Sequence, residues 1–152
     1  MKFKTVLSVI VFSASLMLML LAACAPGAQA GQSAISSEEV PVGYKGFVER
    51  LRASGAEVEE AESVEQVFMS VPGRIINVNG VDVQVFEYAD EADRLADSDM
   101  IPEDGASFPT IMVTWIDQPH FWADGRLIVL YVGSDQAIVD LLTSLLGVPI
   151  AG

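Results

Sequence analysis

Nucleophilic and acid–base chemistry near neutral pH falls to few side chains here, because the 152 residues include one histidine, His120, and one cysteine, Cys24. Any Ser-His-Asp arrangement must run through His120, with Ser134 and Asp135 downstream as partners. His120 stands between Pro119 and Phe121, beside Trp122. A lone histidine among aromatics is more often a packed structural residue than a general base. The zinc-protease helix motif, the Gly-rich phosphate loop, the nucleophile elbow and any cysteine pair are missing from the sequence. The acidic run Asp93, Asp97, Asp99, Glu103 and Asp104 offers oxygen ligands but not calcium-loop spacing. A loop starting at Asp97 would put its obligatory glycine at Pro102 and its bidentate glutamate at Phe108. The expected role of this run is a solvated helix face and loop. No metal and no cofactor is expected, no catalytic set is identified, and a small envelope hydrolase using His120 is the one enzymatic alternative.

Cys24 carries the more specific signal. Lys2 and Lys4 precede an apolar run over residues 6–21, which closes on Leu21-Ala22-Ala23-Cys24. That order of basic start, apolar middle and small-residue end is the pattern of a secretory signal. A thiol is the best nucleophile for lipid transfer, and two alanines leave an enzyme room at the scissile bond. The four residues resemble the bacterial lipobox. The resemblance implies a diacylglycerol on the Cys24 thiol, cleavage between Ala23 and Cys24 by signal peptidase II, and a further acyl chain such as palmitate on the new amine. The competing reading, an uncleaved membrane helix, is weakened by Ser8, Ser13 and Ser15. One acyl chain holds a protein only marginally, whereas two or more hold it stably, at about 0.8 kcal/mol per buried methylene. The expected location is the extracytoplasmic side of a cell membrane or outer membrane. With no second cysteine, the exported domain has no internal disulfide and must rely on its core.

Acidic residues number 21 against 8 basic ones, a formal charge of −13, and loss of Lys2 and Lys4 with the signal makes the balance more negative. Such a field opposes nucleic acid and anionic headgroups, both of which need a basic patch. Expected partners are therefore the membrane through covalent lipid, and an envelope protein or small ligand, with the chain itself a monomer. Residues 1–23 read as the signal and 24–41 as a flexible tether poor in large apolar residues. Residues 42–150 read as one domain.

Within that domain, Tyr44, Phe47, Val48 and Leu51 recur at helical spacing, predicting a helix over 43–54 that Gly55 stops. The glutamate-rich stretch 57–65 reads as a solvated edge strand. Asn79-Gly80 between β-branched runs predicts a two-residue hairpin that pairs Val78 with Val81, Ile76 with Val83 and Asn77 with Asp82. Phe86 and Tyr88 then fall on the opposite face, which something further along must cover. Asp90 caps a second helix with a narrow apolar stripe, Ala92, Leu95 and Ala96. Residues 110–116 and 127–132 are strand-like, and Ala123-Asp124-Gly125 marks a second hairpin from 119 onward. Ser134 or Asp135 caps a last helix carrying Ile138, Leu141, Leu142 and Leu145, ended by Gly147 and Pro149. The expected fold is α+β, a mainly antiparallel sheet built from hairpins and packed with about three helices, mainly on one face.

The stretch from Trp115 to Gly147 resembles small uncharacterised bacterial envelope lipoproteins in its Pro119-His120-Phe121 turn, its strand over residues 128–133 and its Leu145-Leu146-Gly147 helix end. That resemblance implies an envelope location and a folded domain, and no reaction. The function expected is a small membrane-anchored binding or interaction module. Its candidate contact surface is the second hairpin, where His120, Phe121 and Trp122 supply aromatic area and Asp124 a polar rim.

Overall fold

The computed structural model describes residues 43–152. The export signal, Cys24 and the tether lie outside the described residues.

The domain is α+β: three helices and a five-stranded antiparallel sheet whose strands, counted along the chain, stand side by side in the order first, second, third, fifth, fourth. Helix α1, Tyr44–Ala53, buries the four apolar residues that its periodicity singles out. It ends in a Schellman arrangement: the Ala56 amide donates to the Leu51 carbonyl and the Gly55 amide to that of Arg52. Gly55 takes a φ of 90°, which a side chain would resist. At the other end no α1 side chain caps the helix, and Glu87 of the sheet accepts from the Tyr44 amide at 3.1 Å. Glu87 in turn pairs with Arg126 at 3.0 Å, so the first turn is fastened to the sheet at the point where the preceding chain would arrive.

Strands β1, Val58–Val64, β2, Gly73–Val78, and β3, Val81–Glu87, form a meander. The β2–β3 hairpin has the register expected from Asn79-Gly80, with both residues at positive φ as a type I′ turn requires. Strand β1 lies at an edge, and its exposed glutamates deter pairing with another chain. The second hairpin, β4, Pro119–Asp124, and β5, Leu127–Val132, joins β3 through β5. The outer edge of β4 is capped in part by residues 150–151: the Phe121 amide donates to the Ala151 carbonyl and the Ile150 amide to that of Phe121. Helix α3, Gln136–Leu146, starts on an Asp135 side chain that accepts from the Ala137 amide.

Both faces of the sheet are covered, which corrects the expectation of cover mainly on one. On the first face, α1 and α3 pack over Ile76, Val78, Val83, Val85, Trp122, Leu127, Val129 and Tyr131. On the second, Phe86, Tyr88, Phe121, Ile128 and Leu130 lie under segments 64–71 and 101–115, which contribute Phe68, Phe108 and Trp115. Residues 110–116 therefore form no strand, contrary to their alternating pattern; a single bridge, Ser107 to Met112, is all the pairing they make. An extended segment laid across a sheet buries every second side chain just as a strand does. Val113 and Trp115 are tucked in while Thr114 and Ile116 face solvent, so the period of two reports the contact and not a ladder.

Helix α2, Glu91–Ser98, departs further from expectation. Asp90 caps it, but Ala92, Leu95 and Ala96 are exposed, and the buried residues are Arg94 and Asp97. Arg94 Nε donates to the Gly125 carbonyl at 3.0 Å and its Nη2 to Glu91 at 2.9 Å. Buried polar groups must find partners, and here those partners, not an apolar stripe, set how the helix is rolled.

Candidate functional site

The second hairpin does not present the aromatic surface expected of it. Phe121 and Trp122 are both fully buried, on opposite faces of the sheet. Trp122 packs under α3, where its indole N–H donates to Thr143 Oγ1 at 3.3 Å. Phe121 meets Phe68, Phe108 and Trp115 edge-on. Asp124 is held by Arg50 at 2.6 Å, and the same guanidinium donates to the Leu145 carbonyl, tying α1, α3 and the hairpin turn together. Successive residues of a strand point to opposite faces, so two adjacent aromatics cannot share a surface when both faces are core.

His120 is half-buried at the β4 edge, and its ring lies nearly parallel to Tyr131, its cross-strand partner, 6.1 Å between centroids. Among the described residues no hydrogen bond joins the imidazole to a carboxylate or hydroxyl. Ser134 Oγ instead donates to Asp117 at 3.2 Å, and Asp135 is engaged as the α3 cap. The three residues that a triad would need are thus committed separately. Among the described residues, no group of three or more His, Cys, Asp or Glu could hold a metal ion.

A different constellation lies on the second face, where α2 crosses the 67–70 segment. Asp97 Oδ2 accepts from the Tyr88 hydroxyl at 2.6 Å, the Ser70 amide at 2.7 Å and the Ser70 hydroxyl at 2.8 Å. Each partner comes from a separate stretch: Tyr88 follows β3, Ser70 precedes β2 and Asp97 is in the last turn of α2. Tyr88 is buried, and that burial, reinforced by the hydrogen bond and negative charge of Asp97, pushes its hydroxyl far above the ordinary tyrosine range; Arg94 pulls slightly the other way. The hydroxyl is therefore a fixed donor. A hydrogen bond to a charged acceptor contributes about 1.5–3 kcal/mol.

Beside Asp97 opens a cavity of about 250 Å³, walled by Val67, Phe68, Met69, Met100, Phe108 and Pro109. Phe68 and Phe108 are stacked with centroids 4.5 Å apart. At the rim Val67 is 81% exposed and Met100 48%, apolar side chains that the fold leaves in water. A largely apolar hollow with one buried carboxylate and the Ser70 and Thr110 side chains in its wall has the make-up of a small-ligand site, and its size is just below that of pockets for drug-sized molecules.

Sequence reasoning passed over this site because Asp97 stood among other carboxylates. The signal available was the spacing of Arg94 and Asp97, three apart and hence on one helical face, opposite the weak stripe.

Comparison with family models, curated proteins and solved structures finds no match to this chain.

Proposed function

We propose that this protein is a lipoprotein, held on the extracytoplasmic side of a membrane through Cys24, whose folded domain is a binding module with the Asp97 cavity as its ligand site. The anchor is supported by Leu21-Ala22-Ala23-Cys24 directly after a basic and apolar leader. The single observation that carries the binding role is the cavity itself: apolar walls, an exposed apolar rim and one buried carboxylate aimed at no catalytic partner. A hydrolase centred on His120 has no comparable support, since its would-be partners are engaged elsewhere.

The cavity is tested on the full chain in maltoside micelles, with methionine methyl groups isotopically labelled. A mixture of small neutral, anionic and cationic aromatic probes should shift the Met69 and Met100 methyl resonances while leaving Met112 in place. If no probe moves Met69 or Met100 at millimolar concentration, the cavity is a packing hollow and the binding role loses its site.

A further inference from the structure

The charges around the cavity select among ligand classes, an inference that rests on the cavity being a ligand site. Asp97 is only 4% exposed, and its three hydrogen bonds come from neutral donors. All three end on Oδ2, so Oδ1 takes none of them. Among the described residues no lysine, arginine or histidine forms an ion pair with Asp97. Arg94, three residues back on the same face, donates to Glu91 and the Gly125 carbonyl, so its charge acts on the Tyr88–Asp97 pair only from beyond ion-pair distance.

The position adds to the imbalance. Asp97 occupies the last turn of α2, where the helix dipole is negative and where no basic residue stands. Buried charges are ordinarily paired or coordinated. This one borders a cavity whose remaining walls include two phenyl rings and two thioethers, groups whose electron-rich surfaces attract cations and whose apolar area suits hydrocarbon. The acidic field of the whole chain draws cations inward and turns anions away.

We infer that the cavity takes a small organic ammonium ion, with its nitrogen at the Asp97 carboxylate and its hydrocarbon body against Phe68, Met100 and Phe108. An inorganic cation would find a single carboxylate and the Ser70 and Thr110 hydroxyls among largely apolar walls, too few oxygens to replace the roughly six to eight it prefers. A neutral hydrocarbon would leave the carboxylate unbalanced. The same ammonium group arrives either on a free amine or at the end of a lysine side chain, and the stem of lysine is apolar enough to follow the same walls.

The experiment titrates the full chain in maltoside micelles with benzylammonium and with benzyl alcohol, its neutral counterpart, following the Met69 and Met100 methyl resonances. Benzylammonium should bind at least about tenfold more tightly, the difference one charge-assisted hydrogen bond makes. Asp97→Asn, which keeps an oxygen for Tyr88 but no charge, should bring the two affinities together. Thr110→Trp, at an exposed position of the cavity wall, should block both ligands, and it tests the site independently should Asp97→Asn unfold. Displacement of benzylammonium by Nα-acetyl-lysine-methylamide identifies a partner's lysine as the source; failure to displace identifies a free amine. Equal binding of benzylammonium and benzyl alcohol to the unaltered chain overturns the cation inference while keeping the site. No binding of either overturns both.

Discussion

Replacing Asp97 tests whether the Tyr88–Asp97–Ser70 cluster holds the second face of the sheet together. In Asp97→Ala the Tyr88 hydroxyl, buried and engaged at 2.6 Å, loses its carboxylate and keeps only the weak Met69 sulfur acceptor at 3.5 Å, whereas exposed Ser70 can turn to water. A buried donor left so poorly satisfied costs about 1–3 kcal/mol. Two effects oppose this: alanine is the better helix former by roughly 0.5 kcal/mol, and removing a negative charge from the last turn returns about 0.3–1 kcal/mol. The net expected loss is about 1 kcal/mol, or roughly 5 °C in Tm for a domain of this size. Tyr88→Phe removes the donor itself, so Asp97→Ala made in that background should be stabilising by about 1 kcal/mol, the two opposing terms alone remaining. Thermal and urea unfolding of the four proteins, the parent chain, both single variants and the double variant, gives a coupling energy expected at about 1–2 kcal/mol. Strictly additive losses would mean that the hydroxyl and carboxylate do not share a bond, and the roll of α2 would need another cause.

Trp122→Ala removes a fully buried indole from beneath α3 and should cost about 3–5 kcal/mol, read as a steep fall in the urea midpoint; an unchanged midpoint would place Trp122 at the surface after all. Gly73→Ala would put a methyl carbon 2.6 Å from the Phe86 ring across the hairpin, and should cost about 1–3 kcal/mol by the same measurement unless the ring has room to move. Asp104 is fully exposed, yet hydrogen bonds from the Ser107 hydroxyl, the Ser107 amide and the Ala106 amide lower its carboxyl from 3.8 to about 2. A depressed folded pKa contributes stability that is complete above the unfolded value and lost as pH falls through about 2. The Ala106 and Ser107 amides should therefore stay protected at pH 4 and open in that acid window, and Asp104→Asn should remove the pH dependence. A chain beginning at Pro41 should unfold cooperatively, because both apolar clusters fall within residues 44–151; a gradual, non-cooperative melt would mean that earlier residues belong to the fold.

The local elements could be read from the sequence because their determinants are local. Asn79-Gly80 sets its own turn, Tyr44 to Leu51 its own stripe, and Asp90 its own cap, so register and capping follow from neighbours in the chain. Where the sequence misled, a distant partner decided. Residues 110–116 alternate like a strand, but one sheet edge carries glutamates and the other is capped in part by residues 150–151, leaving them to lie across a face. Leu95 should turn inward by its own hydropathy, yet Arg94 and Asp97 find the Gly125 carbonyl and the Tyr88 hydroxyl and roll the helix the other way. Phe121 and Trp122 looked like a surface pair only because nothing local in the sequence assigns the segments 64–71 and 101–115 to the second face as its cover. The cavity was hidden for the same reason, since its walls come from three stretches that meet only in the fold.

The most direct test of the proposed role is the intact mass of the protein extracted from the membranes of a lipoprotein-processing host. Attachment through Cys24 predicts a mature chain that begins at Cys24 and carries diacylglycerol plus acyl mass, and Cys24→Ala should accumulate as the unprocessed precursor. A mature form that begins at another residue with no added lipid mass would contradict the anchor and, with it, the proposed placement of the domain on a membrane.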